Sequence, residues 1–576
     1  MPRLLALKKA ETKVELAAIL GVKASFLTHT LYVKDPANQY YQFIVPKKSG
    51  GHRIINAPTD ELKDLQARLS MLLLDCIDEI NDLKKIDSTL SHGFVRNKSI
   101  ITNAFKHVNQ KNVLNLDLSD FFDSFNFGRV RGFFIKNNNF KLNENIATVI
   151  AQIACLNNKL PQGSPCSPVI TNLITHSLDI RLAKLAESNS CIYTRYADDI
   201  TFSTRKSSFS TQLVVENENV FQIGKLLRKE IKRAGFFINN KKTRVQYKDS
   251  RQDVTGLVVN TKVNIKSDYW RETRAMCHNI FMTGSYTTVT GKGSVSELDG
   301  RMNFIDSIDK HNNLKAKGPE DRRFAFRNHG LDYRQKLNVR EKTYSKFLYY
   351  KYFYANEKPM ILCEGKTDNI YLKSAINILA GQYALLGTLK TKTEQYKLNV
   401  DFLEYTKKTR YLLDLFGGGV YLKKFVERFE NNYGFYKAPK PKCPVILLLD
   451  NDTGPDQLLN FLQKEKSKFP NCPNIKEDMR KTGYIHLLEN LYVILTPQNQ
   501  GNNTDMEAFF DKATHNIIVN GKKFDPSKDG DTLTTYGKNT FATKVVKAKK
   551  SQISFQGFIP ILNQIESVIK DYNTRV

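Results

Sequence analysis

Apolar residues first recur at helical spacing. Between about residues 8 and 35, Val14, Leu16, Leu20, Phe26, Leu27 and Leu31 predict two short helices joined at Gly21-Val22. Residues 40 to 58 alternate and turn at Lys48-Ser49-Gly50-Gly51, a hairpin pattern ending at Pro58. From 59 to 86 the helical period returns, with Leu62, Leu65, Leu69, Leu72 and Leu73 on one face. The segment 112 to 122 reads as a strand running into Phe121-Phe122, 166 to 188 as a helix, and 191 to 204 as two short strands about a tight turn from Tyr196 to Asp199. Between about 285 and 345 the pattern weakens into polar, glycine-containing sequence, which reads as a connector. Beyond it, Pro359-Met360-Ile361-Leu362-Cys363 and Pro444-Val445-Ile446-Leu447-Leu448-Leu449 are strands apolar on both faces, and their alternation with helices predicts a parallel α/β sheet.

Composition sharpens this picture. A chain of 576 residues exceeds what one core supports, so two to four structural units are expected. No apolar run approaches the roughly 20 residues that cross a bilayer, and the basic start is interrupted by charge too soon for a secretory signal, so a cytoplasmic address is expected. The eight cysteines form no Cys-x-x-Cys pair, which predicts neither a disulfide framework nor a zinc site. Lys and Arg outnumber Asp and Glu by 87 to 58, for a net charge of +29. That excess calls for a polyanionic partner; membrane-surface binding is the alternative, but no long basic amphipathic helix supports it.

The candidate chemistry begins at Asp198-Asp199. Transfer of a nucleotide to a 3′-hydroxyl uses two divalent ions about 4 Å apart, both held by carboxylates. Two adjacent aspartates at a hairpin tip tolerate each other only with a cation between them. Asp117, at the end of the apolar run Val113-Leu114-Asn115-Leu116, is placed to supply a shared ligand from a neighbouring strand. Taken alone, these residues also fit an exposed polar turn and a strand-end aspartate.

The flanking segments resemble, in order, the motifs of reverse transcriptases. Arg53-Ile54-Ile55-Asn56-Ala57-Pro58 is similar to the fingers motif, Asp117-Leu118-Ser119-Asp120-Phe121-Phe122 to the first catalytic motif, and Leu160-Pro161-Gln162-Gly163-Ser164-Pro165 to the template and nucleotide motif. Tyr196-Ala197-Asp198-Asp199 is similar to the second catalytic motif, and Gly235-Phe236 with Lys242-Thr243 to the lysine motif. The resemblance implies that Asp117, Asp198 and Asp199 bind two Mg²⁺ ions. It implies that Arg53, with Lys47 or Lys48, contacts the triphosphate of a dNTP and that Asp120, Phe122 and Gln162 line the nucleotide site. Phe122 would exclude a ribose 2′-hydroxyl, and Lys242 would act as general acid on pyrophosphate.

Two further segments resemble the signatures of retron reverse transcriptases: Asn103-Ala104-Phe105-Lys106-His107, and Val254-Thr255-Gly256. As isolated residues, His107 also fits a satisfied core histidine and Thr255-Gly256 a strand turn. The retron resemblance implies a bacterial protein that binds a cognate structured non-coding RNA. The enzyme would start from a guanosine 2′-hydroxyl within that RNA and leave branched RNA-linked single-stranded DNA.

In the C-terminal half, Glu364-Gly365 follows one predicted parallel strand and Asp450-Asn451-Asp452 the other, and ligands collect at the carboxyl ends of such strands. Leu413-Asp414-Leu415-Phe416-Gly417-Gly418-Gly419 reads as another strand ending in a glycine turn. This order resembles the TOPRIM fold of topoisomerases, primases and several nucleases, with Glu507 and Lys538 as weaker matches to the nuclease branch. The resemblance implies Mg²⁺ or Mn²⁺ held by Glu364, Asp450, Asp452 and Glu507. No zinc ribbon, Walker-type loop or separate ribonuclease H signature accompanies it.

The expected fold is multidomain, α+β and α/β: a right-hand reverse transcriptase of fingers, palm and thumb, followed by a TOPRIM-like parallel α/β domain. Residues 1-35 form an N-terminal helical element, 36-245 fingers and palm, 246-345 thumb and connector, and 346-576 the nuclease-like domain. The fusion resembles retron proteins whose TOPRIM domain is an anti-phage effector, with a homo-oligomer in a ribonucleoprotein compatible with it. The rival readings are a group II intron-like reverse transcriptase and a C-terminal half that is a non-catalytic assembly module.

Overall fold

The computed structural model describes residues 2–576 apart from 47–49, 87–89, 218–219, 318–336, 392–393, 499–501, 503 and 528–529. It resolves into two compact units, Met1–Lys266 and Ser267–Val576. The division falls within the 246–345 segment.

The first unit opens with helices Arg3–Lys9, Lys13–Leu20 and Ala24–Thr28, the last continuing as a wider turn, His29–Val33. The helix at the very start was not expected from the pattern; its buried Leu4 and Leu7 are too few to set a period by themselves. The hairpin pairs Tyr40–Pro46 with His52–Pro58, and helix Asp60–Lys84 buries Leu62, Leu65, Leu69, Leu72 and Leu73 as the spacing requires. A four-stranded antiparallel sheet is ordered Ile192–Tyr196, Asp199–Thr204, Asn112–Asp117, Arg244–Tyr247. Helix Ser167–Ser188 buries Val169, Ile170, Leu178 and Leu182 in the same core that takes Leu114, Leu116, Ile200 and Phe202 from the sheet. Each such side chain contributes about 1.5–3 kcal/mol when fully buried, so this core dictates where the strand ends lie.

In the second unit the described part of the segment read as a connector is largely helical, with Val295–Lys317 and Val339–Tyr349 as helices. Leu298, Met302, Ile305 and Ile308 form a narrow buried stripe among polar neighbours, which hid the period. A five-stranded sheet runs Asp401–Phe402, Met360–Cys363, Val445–Leu449, Leu491–Leu495, Ile485–Leu488, parallel throughout except for the last pair.

The expected strand at 413–419 is absent. Thr406 accepts from Thr409 N at 3.2 Å and caps helix Lys407–Leu413, Asp414 ends it at φ 59°, and Gly417 and Gly418, each at φ 85°, turn the chain into helix Gly419–Tyr433. The sheet's edge is instead the two-residue Asp401–Phe402, too short to carry a periodic signal. All eight cysteines are free, and no single helix among the described residues is long and apolar enough to cross a membrane.

Candidate active sites

Asp117 ends its strand directly opposite Asp199, which begins the next. Opposed residues of antiparallel strands hold their Cβ atoms roughly 5 Å apart, so the two carboxylates share one end of the sheet. Tyr196 pairs with Asp199, leaving Ala197 and Asp198 as a two-residue turn in which Ala197 adopts φ 56°. A left-handed alanine costs about 1–2 kcal/mol, so the surroundings must hold it. Arg195 Nη1 donates to Ala197 O at 2.9 Å, and Leu118 N donates to Asp198 O at 3.1 Å.

Arg195 is wholly buried. Its Nε and Nη2 donate to the two carboxylate oxygens of buried Asp179, each at 2.7 Å, and Tyr193 OH donates to the same carboxylate at 2.7 Å. Asp179 and Arg195 were missed in the sequence. The signal was a lone carboxylate on the apolar face of helix Ser167–Ser188, since a buried charge needs a partner.

Lys242 Nζ lies 2.8 Å from Asp117 Oδ2, and Asn239 Nδ2 donates to Asp117 Oδ1 at 3.0 Å. Asn239, also missed, sits in the loop of the lysine motif. That segment is anchored by Phe236, whose ring stacks on Phe121 at 5.6 Å, and by Ser119 N donating to Phe237 O at 2.8 Å. Phe122 is half-buried, edge-on to Phe121, while Asp120 is exposed at φ 48°. Gln162 O accepts from Asn56 N at 2.8 Å, tying its loop to the hairpin that carries exposed Arg53. Only glycine fits at Gly163: φ is 125°, and a Cβ would fall 2.5 Å from Asn56 O. Lys47 and Lys48 lie outside the described residues.

Partial desolvation by the surrounding protein, with the charges of Asp198 and Asp117 adding to the push, raises the carboxyl of Asp199 to about 7, although the residue keeps surface exposed to solvent. Burial, with Asp117 nearby, raises Asp198 as well, and Lys242 and Arg53 partly offset this. Excess negative charge among oxygen-only donors fits a hard divalent cation. Among the described residues, no three acidic, histidine or cysteine side chains form a ready ligand cage; Lys242 supplies the positive charge.

The two signature segments meet behind this hairpin. His107 is fully buried, with Nδ1 2.7 Å from Ser203 Oγ and Nε2 2.7 Å from Thr194 Oγ1, so it bridges both strands. Burial lowers it to about 3 and keeps it neutral. Asn103, Ala104 and Val254 are buried too. Thr255 and Gly256, both at positive φ, form the two-residue turn between Val254 and Leu257, and Thr255 Oγ1 donates to Ile100 O at 3.3 Å.

In the second unit Glu364 and Asp450 leave adjacent parallel strands at the same end, because Cys363 pairs with Leu448. Gly419 N donates to Glu364 Oε1 at 3.2 Å; Glu364 Oε2 and Asp450 Oδ1 are buried without a hydrogen-bond partner. A Cβ on Gly454 would come within 2.9 Å of Glu364 Oε1 and 3.0 Å of Asp452 Oδ1, so both carboxylates border one small space. Asn451 faces the other way, buried, and accepts from Arg480 Nη1 at 2.7 Å. Glu507 accepts from Lys538 Nζ at 3.0 Å and Tyr371 OH at 3.1 Å. Asp368, missed in the sequence, accepts from Gly365 N at 2.7 Å, a helix-start bond that a carboxylate three residues into a helix signals. Burial, then the charges of Asp368, Glu364, Glu507 and Asp505, raises Asp450 to about 9. Orphaned carboxylate oxygens in such surroundings also fit a divalent cation.

The family model described as reverse transcriptase (RNA-dependent DNA polymerase) matches residues 45–264, the range that holds the whole first site; the second unit lies outside it. The Retron Ec86 reverse transcriptase of Escherichia coli is 36% identical over 293 residues, covering 50% of this chain and 82% of that protein. The Retron Mx65 reverse transcriptase of Myxococcus xanthus is 35% identical, covering 46% of this chain and 62% of that protein, so the chain spans less than two thirds of this relative. Among solved structures, a telomerase from Candida albicans overlaps 54% of this chain and 63% of its own at 11% identity and a TM-score of 0.32, too slight to bear weight. The chain belongs to the retron reverse transcriptase family.

Proposed function

We propose that the first unit is an RNA-directed DNA polymerase that copies a cognate structured non-coding RNA from an internal 2′-hydroxyl, leaving branched RNA-linked DNA. The observation that carries this reading is the register of Asp117 opposite Asp199, with Asp198 in the turn and Lys242 on Asp117. Asp117, Asp198 and Asp199 would hold the Mg²⁺ ions, which supply activation of the attacking oxygen and charge neutralisation at the triphosphate. Arg53, with Lys47 or Lys48, would receive the dNTP phosphates, Asp120, Phe122 and Gln162 would line the nucleotide, and Lys242 would deliver a proton to pyrophosphate. The buried members of the two signatures support the catalytic hairpin from behind, leaving exposed Phe105, Lys106 and Gly256, with half-buried Thr255, as the surface through which this region would meet RNA. The test is the nucleic acid that co-purifies with the protein: a nuclease-resistant RNA–DNA branch is expected, and linear RNA alone would overturn 2′-hydroxyl priming.

The second unit is read as a TOPRIM-type nuclease serving as an anti-phage effector in a bacterial cytoplasm. Glu364, Asp450, Asp452 and Glu507 would hold Mg²⁺ or Mn²⁺, which would polarise a phosphodiester, while Lys538 neutralises Glu507. The orphaned oxygens of Glu364 and Asp450 support it. Asp450→Asn and Asp452→Asn should abolish metal-dependent cleavage and phage protection while DNA synthesis persists. Unchanged protection would favour an assembly module.

A further inference from the structure

We infer that a basic cleft on the first unit, separate from both acidic sites, binds a backbone phosphate of RNA. The cleft, of about 330 Å³, lies between helix Ser167–Ser188, helix Lys225–Arg233 and the start of helix Phe127–Lys136, and Arg129, Arg181, Arg233, Thr175, Ser177 and Phe236 line it. Three guanidinium groups meet there with one carboxylate, Glu230, which lies 2.8 Å from Arg181 Nε. Arg129 stacks over Phe125 and Phe236 and spends two donors on Ser124 O and Ala234 O, so it fixes the wall and adds charge. Arg233 is exposed and has no ion-pair partner among the described residues.

The independent observation is Thr175. It is 1% exposed and lines the cleft, yet its Oγ1 has no hydrogen-bond partner. A mid-helix threonine commonly turns its hydroxyl to the carbonyl four residues earlier; here it makes no such bond, and because the oxygen is itself covered, a turn about χ1 would bring it to the cleft that Thr175 lines. A buried donor left unmade costs about 1–3 kcal/mol, so a tetrahedral anion held by Arg233 in the positive field of Arg129 and Arg181 would draw the hydroxyl round to meet it and offset the surplus charge. A phosphodiester has that shape and charge, and a chain of net charge +29 is built to meet many of them.

The phosphate chemistry rests on the cleft alone; its assignment to RNA rests on the polymerase reading. The full chain is compared with Arg233→Gln and Thr175→Val, after confirming that all three unfold at similar temperature. Binding of a labelled structured RNA is measured against salt, and unfolding temperature against inorganic phosphate. Expected are a roughly three- to ten-fold loss of RNA affinity in each variant and, in Arg233→Gln, a salt slope smaller by about one, with extension of a saturating primer–template unchanged. Unchanged RNA affinity with phosphate stabilising only the unmodified protein would overturn the RNA assignment in favour of a free phosphate. No change in either measurement would overturn the site itself.

Discussion

Arg195 and Asp179 form a two-pronged ion pair with no solvent access, 16 residues apart in sequence, and the same guanidinium holds the Ala197 carbonyl of the catalytic turn. Removing one partner of a buried pair leaves the other charged and unpaired, which costs about 3–5 kcal/mol. Asp179→Leu should therefore lower stability by that amount in urea titration and reduce DNA synthesis with it. A loss no larger than the roughly 0.5 kcal/mol of a surface substitution would refute this role.

At the turn itself, stability and activity should move in opposite directions. The carboxyls of Asp198 and Asp199 are raised by desolvation and then by neighbouring charge, that of Asp117 on Asp198 and those of Asp198 and Asp117 on Asp199, so their ionised forms strain the metal-free fold. Asp198→Asn and Asp199→Asn should each remove Mg²⁺-dependent extension by orders of magnitude, while leaving the metal-free unfolding temperature equal or higher. Extension retained by either variant would sink the assignment of the site.

Acid should act through His107. Its folded value is depressed to about 3 from the ordinary 6.5, so between those values the unfolded chain binds a proton that the folded chain refuses. Stability is then fully present above 6.5 and is lost as pH falls towards 3, by about 1.4 kcal/mol per pH unit from this residue. His107→Gln should flatten that limb in denaturation curves taken between these limits, at the cost of a lower plateau at neutral pH. An unchanged slope would mean that the imidazole is protonated in the fold.

For the second unit the discriminating change adds a single methyl group. Gly454→Ala would thrust its Cβ against Glu364 Oε1 and Asp452 Oδ1. Weaker Mg²⁺ binding by calorimetry is expected, with DNA synthesis intact; undiminished binding would show that the ion, if it binds, sits elsewhere.

The hairpin strands, the long apolar helices and the two parallel strands were legible because each carries its own periodicity, and Asp117, Asp198, Asp199, Glu364 and Asp450 were legible because they stand at strand ends. What escaped was either short or distributed. Asp401–Phe402 has two residues and no pattern, and Val295–Lys317 hides four apolar side chains among charges. Asp179, Asn239 and Asp368 matter through partners brought to them by tertiary structure, with only faint local marks. The run 413–419 misled because apolar residues before glycines suit a strand end and a helix end equally well; Thr406, seven residues earlier, decided between them.

The imidazole that spans Thr194 and Ser203 also acts as an alignment pin. Side chains alternate across a strand, so slippage of one residue between Ile192–Tyr196 and Asp199–Thr204 would present Ile200 where Asp199 belongs. Such a slip would pull the two hydroxyls out of step with the ring. His107 thus makes misalignment of the acidic tip cost two hydrogen bonds at a distance from it, and a histidine that never meets the substrate enforces the spacing on which nucleotide addition would depend.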